Sequence, residues 1–326
     1  MGASSNLQEI HKYKMIRRHY VYLTGGLGNQ LFQFAAALDA TINTKSVMFF
    51  DSVIGKPRKT EGHPDLFHLI LPSGFKIIEK EASVFIEKTA GYMLRSSIQP
   101  RGIEKVRAAK GLLRLLGAIA LSSRYKFPLF VNLSDNVGYK NLRHGRSSIF
   151  LGYFQSYRYL STSETRKMLM DLSPKTISAK LTSLMEKAQM EKPIFVHIRL
   201  KDYLLEPQFG TPTKEYYLAA LKKLNASGRA IWIFSDDIKL AKAQLPIEFE
   251  SQYYYVDDIQ LNPAQLWHLM RHGHDYVIAN STFSWWSAML ALNQSCTVVA
   301  PDPWFAAMPE PKDLIPPNWI REKAFL

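Results

Sequence analysis

The chain has 326 residues, 47% hydrophobic and 21% charged, enough apolar material for a sizeable core and incompatible with wholesale disorder. Its 41 Lys and Arg against 28 Asp and Glu leave a formal net charge of +13, which calls for an anionic partner: nucleic acid, a membrane surface or a small substrate. A single cysteine, Cys296, excludes an intrachain disulfide and any cysteine-based metal site, and no nucleic-acid signature accompanies the scattered basic residues.

The segment from Met1 lacks the apolar stretch of a secretory signal, and Leu115–Leu121 is far too short to span a bilayer. A reducing cytoplasm is the expected location. Tyr20–Thr24 (YVYLT) reads as a buried strand. It runs into Gly25, Gly26, Leu27 and Gly28, then an Ala- and Leu-rich helix over 29–41 and a second strand over 46–50. Strand, glycine turn, helix and strand in that order make a βαβ unit. The text over 61–99 mixes short elements without a clear period. Residues 106–125 form a basic amphipathic helix. It reads either as a core-packing helix with its Lys and Arg in water or as a surface helix touching anionic lipid.

A strand at 149–154 precedes helical text to about residue 190. Strands are then predicted over 194–198, 230–234, 253–256, 276–279 and 297–300, and helices over 216–224, 263–271 and 284–292. The alternation implies parallel sheets covered on both faces. A break near Pro193 divides the chain into 1–190 and 191–326. The fold class is therefore α/β, with two Rossmann-like domains facing a cleft.

Ligands of such sheets bind outside the carboxyl ends of the strands, and four strand ends here carry unusual residues. GGLGNQLFQ (25–33) is a tight turn or a ligand loop, with the amides of Asn29 and Gln30 at the helix start. In HIRLKD (197–202), His197 and Arg199 project from one face of a strand, and a buried arginine needs either an anion or an internal salt bridge to Asp202. Asp236 and Asp237 end another strand, where carboxylates hold a metal, bond a base edge, cap a helix or simply turn. NSTFSWWS (280–287) places amide and hydroxyls at a strand-to-helix junction, an anion site by chemistry.

In this order, GGLGNQLFQFAAAL, FLGYFQSYRYL, HIRLKDY and ANSTFSWWSAML resemble the motifs of the bacterial-type α-1,2-fucosyltransferases of glycosyltransferase family 11, and they span residues 25–290. The resemblance implies a GT-B-like fold, with an acceptor-side N-terminal domain and a C-terminal domain that binds GDP-fucose. It implies inverting transfer of L-fucose from GDP-β-L-fucose to the 2-hydroxyl of a galactoside, with no metal or other cofactor. The implied partners are GDP-fucose and a galactose-terminated oligosaccharide or lipid-linked glycan, with peripheral contact at the inner membrane face and no nucleic acid.

Carried over by position, Arg199 grips the donor diphosphate, His197 lies near the nucleotide and Asp236 reads the guanine. Ser281 and Thr282, with Phe283, are donor ligands, and Asn29 lies close to the transferred fucose in a loop whose Gly26, Gly28 and Gln30 line the donor. Asp202 completes the catalytic set as a base or as the residue that orients Arg199; Glu206 and Asp39 are the other carboxylates considered for the base. Many relatives read HxRRxD, whereas Leu200 stands in place of the second arginine. The competing readings are an α-1,6-type fucosyltransferase and a noncatalytic nucleotide- or carbohydrate-binding protein.

Overall fold

The computed structural model describes residues 17–42, 44, 46–51, 64–78, 85–86, 88–91, 93, 107–125, 130–133, 138–140, 142, 147–245, 251–257 and 260–325. Two parallel sheets organise it. The first has the order β4-β2-β1-β6-β5, built from β1 (Arg17–Tyr22), β2 (Ser46–Asp51), β4 (Phe75–Ile78), β5 (Phe130–Leu133) and β6 (Ser148–Leu151). The second has the order β10-β9-β8-β11-β12-β13. Its strands are β8 (Ile194–Ile198), β9 (Ala230–Ser235), β10 (Gln252–Tyr255), β11 (Asp275–Val277), β12 (Val298–Asp302) and β13 (Ile320–Lys323). Every pairing within the two sheets is parallel. A short antiparallel pair joins β3 (Leu69–Ile70) to β7 (Ser173–Pro174). This is the α/β, two-sheet architecture expected from the alternation.

The central strands of the second sheet are buried on both faces; in β8 all five residues and in β11 all three are buried, so the apolar run of β8 is continuous rather than alternating. Helix α1 (Leu27–Thr41) follows β1 and buries 13 of its 15 residues. Such all-round burial means that α1 is enclosed rather than lying on a surface. Its Phe32 ring meets Trp285 at 4.5 Å and Trp286 at 4.8 Å, so one apolar core runs from the first half into the second.

Helix α2 (Arg107–Ser123) stands where the sequence predicts either a core-packing amphipath or a surface helix; Val106 lies outside the described residues. Gly117 and Leu121 face inward, and a Cβ on Gly117 would stand 2.7 Å from the Met93 sulfur. Leu115, Leu116 and Ile119 face outward, each more than half exposed. No helix among the described residues is long and apolar enough to cross a membrane.

After α3 (Ser163–Met170), α4 (Ala179–Glu191) packs on the second sheet, where Glu191 accepts from the Trp232 indole at 2.7 Å. The guanidinium of Arg271 pins the stretch between these two helices by donating to the carbonyls of Met170, Leu172 and Leu290 at 2.8–2.9 Å. Burial pushes its pKa down to about 10, against the raising effect of Tyr276 and Asp171.

Several histidines are buried in the neutral form. Burial, with Arg17 nearby, lowers His19 to about 4; burial, with Arg271 and His272 nearby, lowers His268 to about 4; His272 is lowered by burial and Arg271. These folded-state values lie below the ordinary 6.5, so the unfolded chain takes up protons first as pH falls. Stability is full above about pH 6.5 and declines toward pH 4, by about 1.4 kcal/mol per pH unit for each of His19 and His268, with His272 adding in the same direction. The urea midpoint is expected to drop between pH 7 and pH 5, and His19→Gln to flatten that slope. A midpoint that does not move across this window would refute the expectation.

Candidate functional site

The carboxyl ends of both sheets converge on one place, and the joint is made by glycine. Gly28, in the first turn of α1, abuts the start of α8 (Thr282–Met289). A Cβ on Gly28 would overlap the Thr282 carbonyl carbon and stand 2.5 Å from the Phe283 amide nitrogen. The two helices therefore start side by side, and one turn further along Phe32 packs on Trp285 and Trp286. Both bring the partial positive charge of a helix start to the same small volume.

On the first-domain side, Gly25 turns the chain at φ +73, a conformation that glycine adopts without steric cost. A Cβ there would stand 2.5 Å from Asn29 Nδ2, so the glycine also makes room for that amide. Asn29 Oδ1 accepts from Gln155 Nε2 at 2.9 Å. Gln30, expected to line the donor, is a strut in this loop. Its Nε2 donates to the Gly25 carbonyl at 2.7 Å and its Oε1 accepts from the Leu66 amide at 2.8 Å. The Leu27 amide donates to Asp65 Oδ2 at 3.1 Å, and Gly26 lies against the same carboxylate. Asp39 sits 11 residues beyond Gly28 on α1, roughly 16 Å along the axis, and accepts from Ser161 there, away from the joint.

On the second-domain side, β8 delivers His197 and Arg199. His197 is 6% exposed, its Nδ1 has no hydrogen-bond partner, and burial, with Arg199 nearby, lowers its pKa to about 3. Its ring lies 6.2 Å from Phe283. Arg199 makes the internal ion pair that the sequence left open: Nε and Nη2 each approach Asp202 at 2.8 Å, and Nε lies 3.4 Å from Asp236 Oδ2. The Asp202 side chain is 57% exposed, so this pair contributes at most about 1 kcal/mol and is readily exchanged for a more highly charged anion.

Asp236, expected to read a base, accepts from the amides of Leu200 at 2.9 Å and Lys201 at 3.1 Å. It thereby shapes the turn that carries Arg199. Asp237 Oδ1 accepts from the Leu240 amide at 3.0 Å as the cap of helix α6 (Ile238–Gln244). No group of three His, Cys, Asp or Glu suited to a metal ion occurs among the described residues.

At the head of α8, Ser281 Oγ accepts from the Phe283 amide at 3.4 Å, and the first turn of the helix carries no acidic residue. Asn280 donates to the carbonyls of Phe209 and Gly210 at 2.9 and 3.0 Å, and Tyr203 donates to the Asn280 carbonyl at 2.9 Å. These bonds hold the loop after Arg199 against the start of α8. Asn280 heads the strand-end motif read from the sequence, whereas Tyr203, Asp65 and Gln155 carry no site reading there. Gln155 lay inside FLGYFQS without a role, and Asp65 carried no local signal.

The sequence profile of glycosyl transferase family 11 matches residues 121–323. An alpha-1,2-colitosyltransferase of Escherichia coli is 26% identical over 308 residues, covering 92% of this chain and 97% of that protein. The O-antigen biosynthesis glycosyltransferase WbnK of Escherichia coli is 27% identical over 327 residues, covering 92% and 99%. Among solved structures, the fucosyltransferase NodZ from Bradyrhizobium aligns with a TM-score of 0.47 at 10% identity, over 85% of this chain and 94% of that one.

Proposed function

The chain belongs to glycosyl transferase family 11, and from that premise we propose that it moves L-fucose from GDP-β-L-fucose onto the 2-hydroxyl of a galactoside, with inversion and without a metal. The observation that carries this reading is the meeting of α1 and α8 beside Arg199. On one side of the joint lie a guanidinium, the Ser281 and Thr282 hydroxyls and free helix amides, which suit a diphosphate. On the other lies a polar wall of Asn29 and Gln155, which suits a sugar.

Transfer breaks the anomeric C–O bond while negative charge grows on the departing diphosphate. Arg199 releases Asp202 and forks onto that diphosphate, and the α8 amides stabilise the same charge. These groups are already in place before the bond breaks, so little reorganisation accompanies the step. Neutral His197 packs behind them and keeps water from that face. The 1,2 linkage in the name of one relative supports a 2-hydroxyl as the acceptor position, and the O-antigen in the name of another supports a surface-polysaccharide repeat as the acceptor. The same relative supports GDP-colitose as a second donor.

The decisive experiment is GDP release from GDP-fucose, with lactose as acceptor and EDTA present. Acceptor-stimulated release is expected, followed by an α-1,2-linked product. Release that requires an added divalent cation removes the metal-free part of the proposal. No binding of GDP at all removes the donor.

A further inference from the structure

The two helix ends at the joint are unlike in charge. Neither helix has an acidic residue in its own first turn; on the α8 side β8 brings Arg199, which in the reading above gives up Asp202 for a diphosphate. The end of α1 already holds a carboxylate, Asp65, whose Oδ2 accepts the Leu27 amide at 3.1 Å. A diphosphate is attracted to the first and repelled by the second. This polarity orients the donor across the joint, with phosphates toward α8 and the sugar toward α1.

Asp65 Oδ1 makes no hydrogen bond among the described residues. The carboxylate borders Gly26, which is exposed, so one face of it opens on the loop. Burial raises its pKa above the usual carboxylate value, against the lowering effect of the Leu27 amide. On the other side of the same helical turn, Gln155 is 7% exposed and bonded through Nε2 to Asn29, and its Oε1 is without a partner. Asp65, Asn29 and Gln155 thus ring the first turn of α1 with hydroxyl-binding groups, contributed by three separate segments.

Building on the donor reading above, we propose that Asp65 is the general base of the reaction, in a subsite where Asn29 and Gln155 hold hydroxyl-bearing sugar. The acceptor hydroxyl gives its proton to Asp65 Oδ1 as its oxygen bonds to the anomeric carbon. The C–O bond to phosphate breaks, its electron pair leaves on GDP, and the proton passes from Asp65 to solvent. The carboxylate also stabilises the positive charge that develops on the sugar ring.

The test uses Asp65→Asn in the full chain, because the asparagine oxygen still accepts the Leu27 amide and preserves the helix cap. Acceptor-stimulated GDP release is expected to fall at least about 100-fold. The GDP dissociation constant should stay within about twofold, a change of under about 0.5 kcal/mol in binding, and Tm should be unchanged. Asp65→Ala, which loses the cap as well, is expected to lower Tm in addition. Turnover by Asp65→Asn within about threefold of wild type, less than about 0.7 kcal/mol in the barrier, overturns the assignment. So does a loss of rate that comes with lost GDP affinity or lowered Tm, which reduces Asp65 to a cap. A wild-type chain that does not bind GDP overturns the donor reading itself, and this inference with it.

Discussion

Replacing Arg199 with alanine is expected to lower the rate of the proposed fucosyl transfer by at least about 100-fold, the usual result of removing one preorganised donor from a developing anion. The guanidinium supplies charge and a planar fork together, so Arg199→Lys, which keeps only the charge, should fall between wild type and alanine. The resting contact of Arg199 with Asp202 complicates the alanine variant, because an unpaired carboxylate left beside the diphosphate would itself repel it. Arg199→Ala combined with Asp202→Asn removes that repulsion. If the double variant stays slow, the loss belongs to the missing cation. A double variant that regains near-normal turnover would show that Arg199 serves only to mask Asp202. Asp236 should keep its hold on the Leu200 and Lys201 amides in all of these variants, so the turn itself should survive.

Gly28→Ala should be the most damaging single-methyl change in the joint. Alanine favours a helix over glycine by about 1 kcal/mol, which alone would stabilise α1. The added Cβ, however, overlaps the Thr282 carbonyl carbon and crowds the Phe283 amide nitrogen, and backbone cannot yield as a flexible side-chain tip can. Overpacking of this kind costs about 1–3 kcal/mol, so the net effect is destabilising and appears as a lowered Tm. It should also push Thr282 away from the diphosphate, so activity should fall further than the loss of folded protein explains. Gly26→Ala provides the contrast: its Cβ would meet only Asp65 Oδ2, at 3.9 Å, and its backbone is extended, so stability should hold. Equal Tm values for the two variants would refute the tight joint.

The sequence was most legible where a run of residues determines its own surroundings. The all-apolar β8, the glycine turn into α1 and the hydroxyl-rich entry to α8 each announce a buried strand or a helix start by local chemistry, and each occurs where expected. What was illegible depends on distant partners. Gln30 and Asp236 looked like ligands because amides and carboxylates at strand ends often are, but both bond to backbone that tertiary folding brings to them. Asp65 reaches the start of α1 from 38 residues away, and nothing around it in sequence marks the meeting. The strand Ile320–Lys323 (IREK) was missed because an edge strand needs little apolar character to pair. Helix α2 shows the converse failure, since its apolar stripe says that a face is to be covered without saying by what.

Phe32, Trp285 and Trp286 interlock across the two halves, and this bears on how a donor gets in. Each such ring removes on the order of 150–250 Å² from water. Exposing all three would therefore cost on the order of 10 kcal/mol at about 25 cal/mol per Å². A hinged jaw that swings wide on every turnover is incompatible with such a seam. On the donor reading, substrate traffic is therefore expected to fall to the loops that border the joint rather than to a swing of the halves.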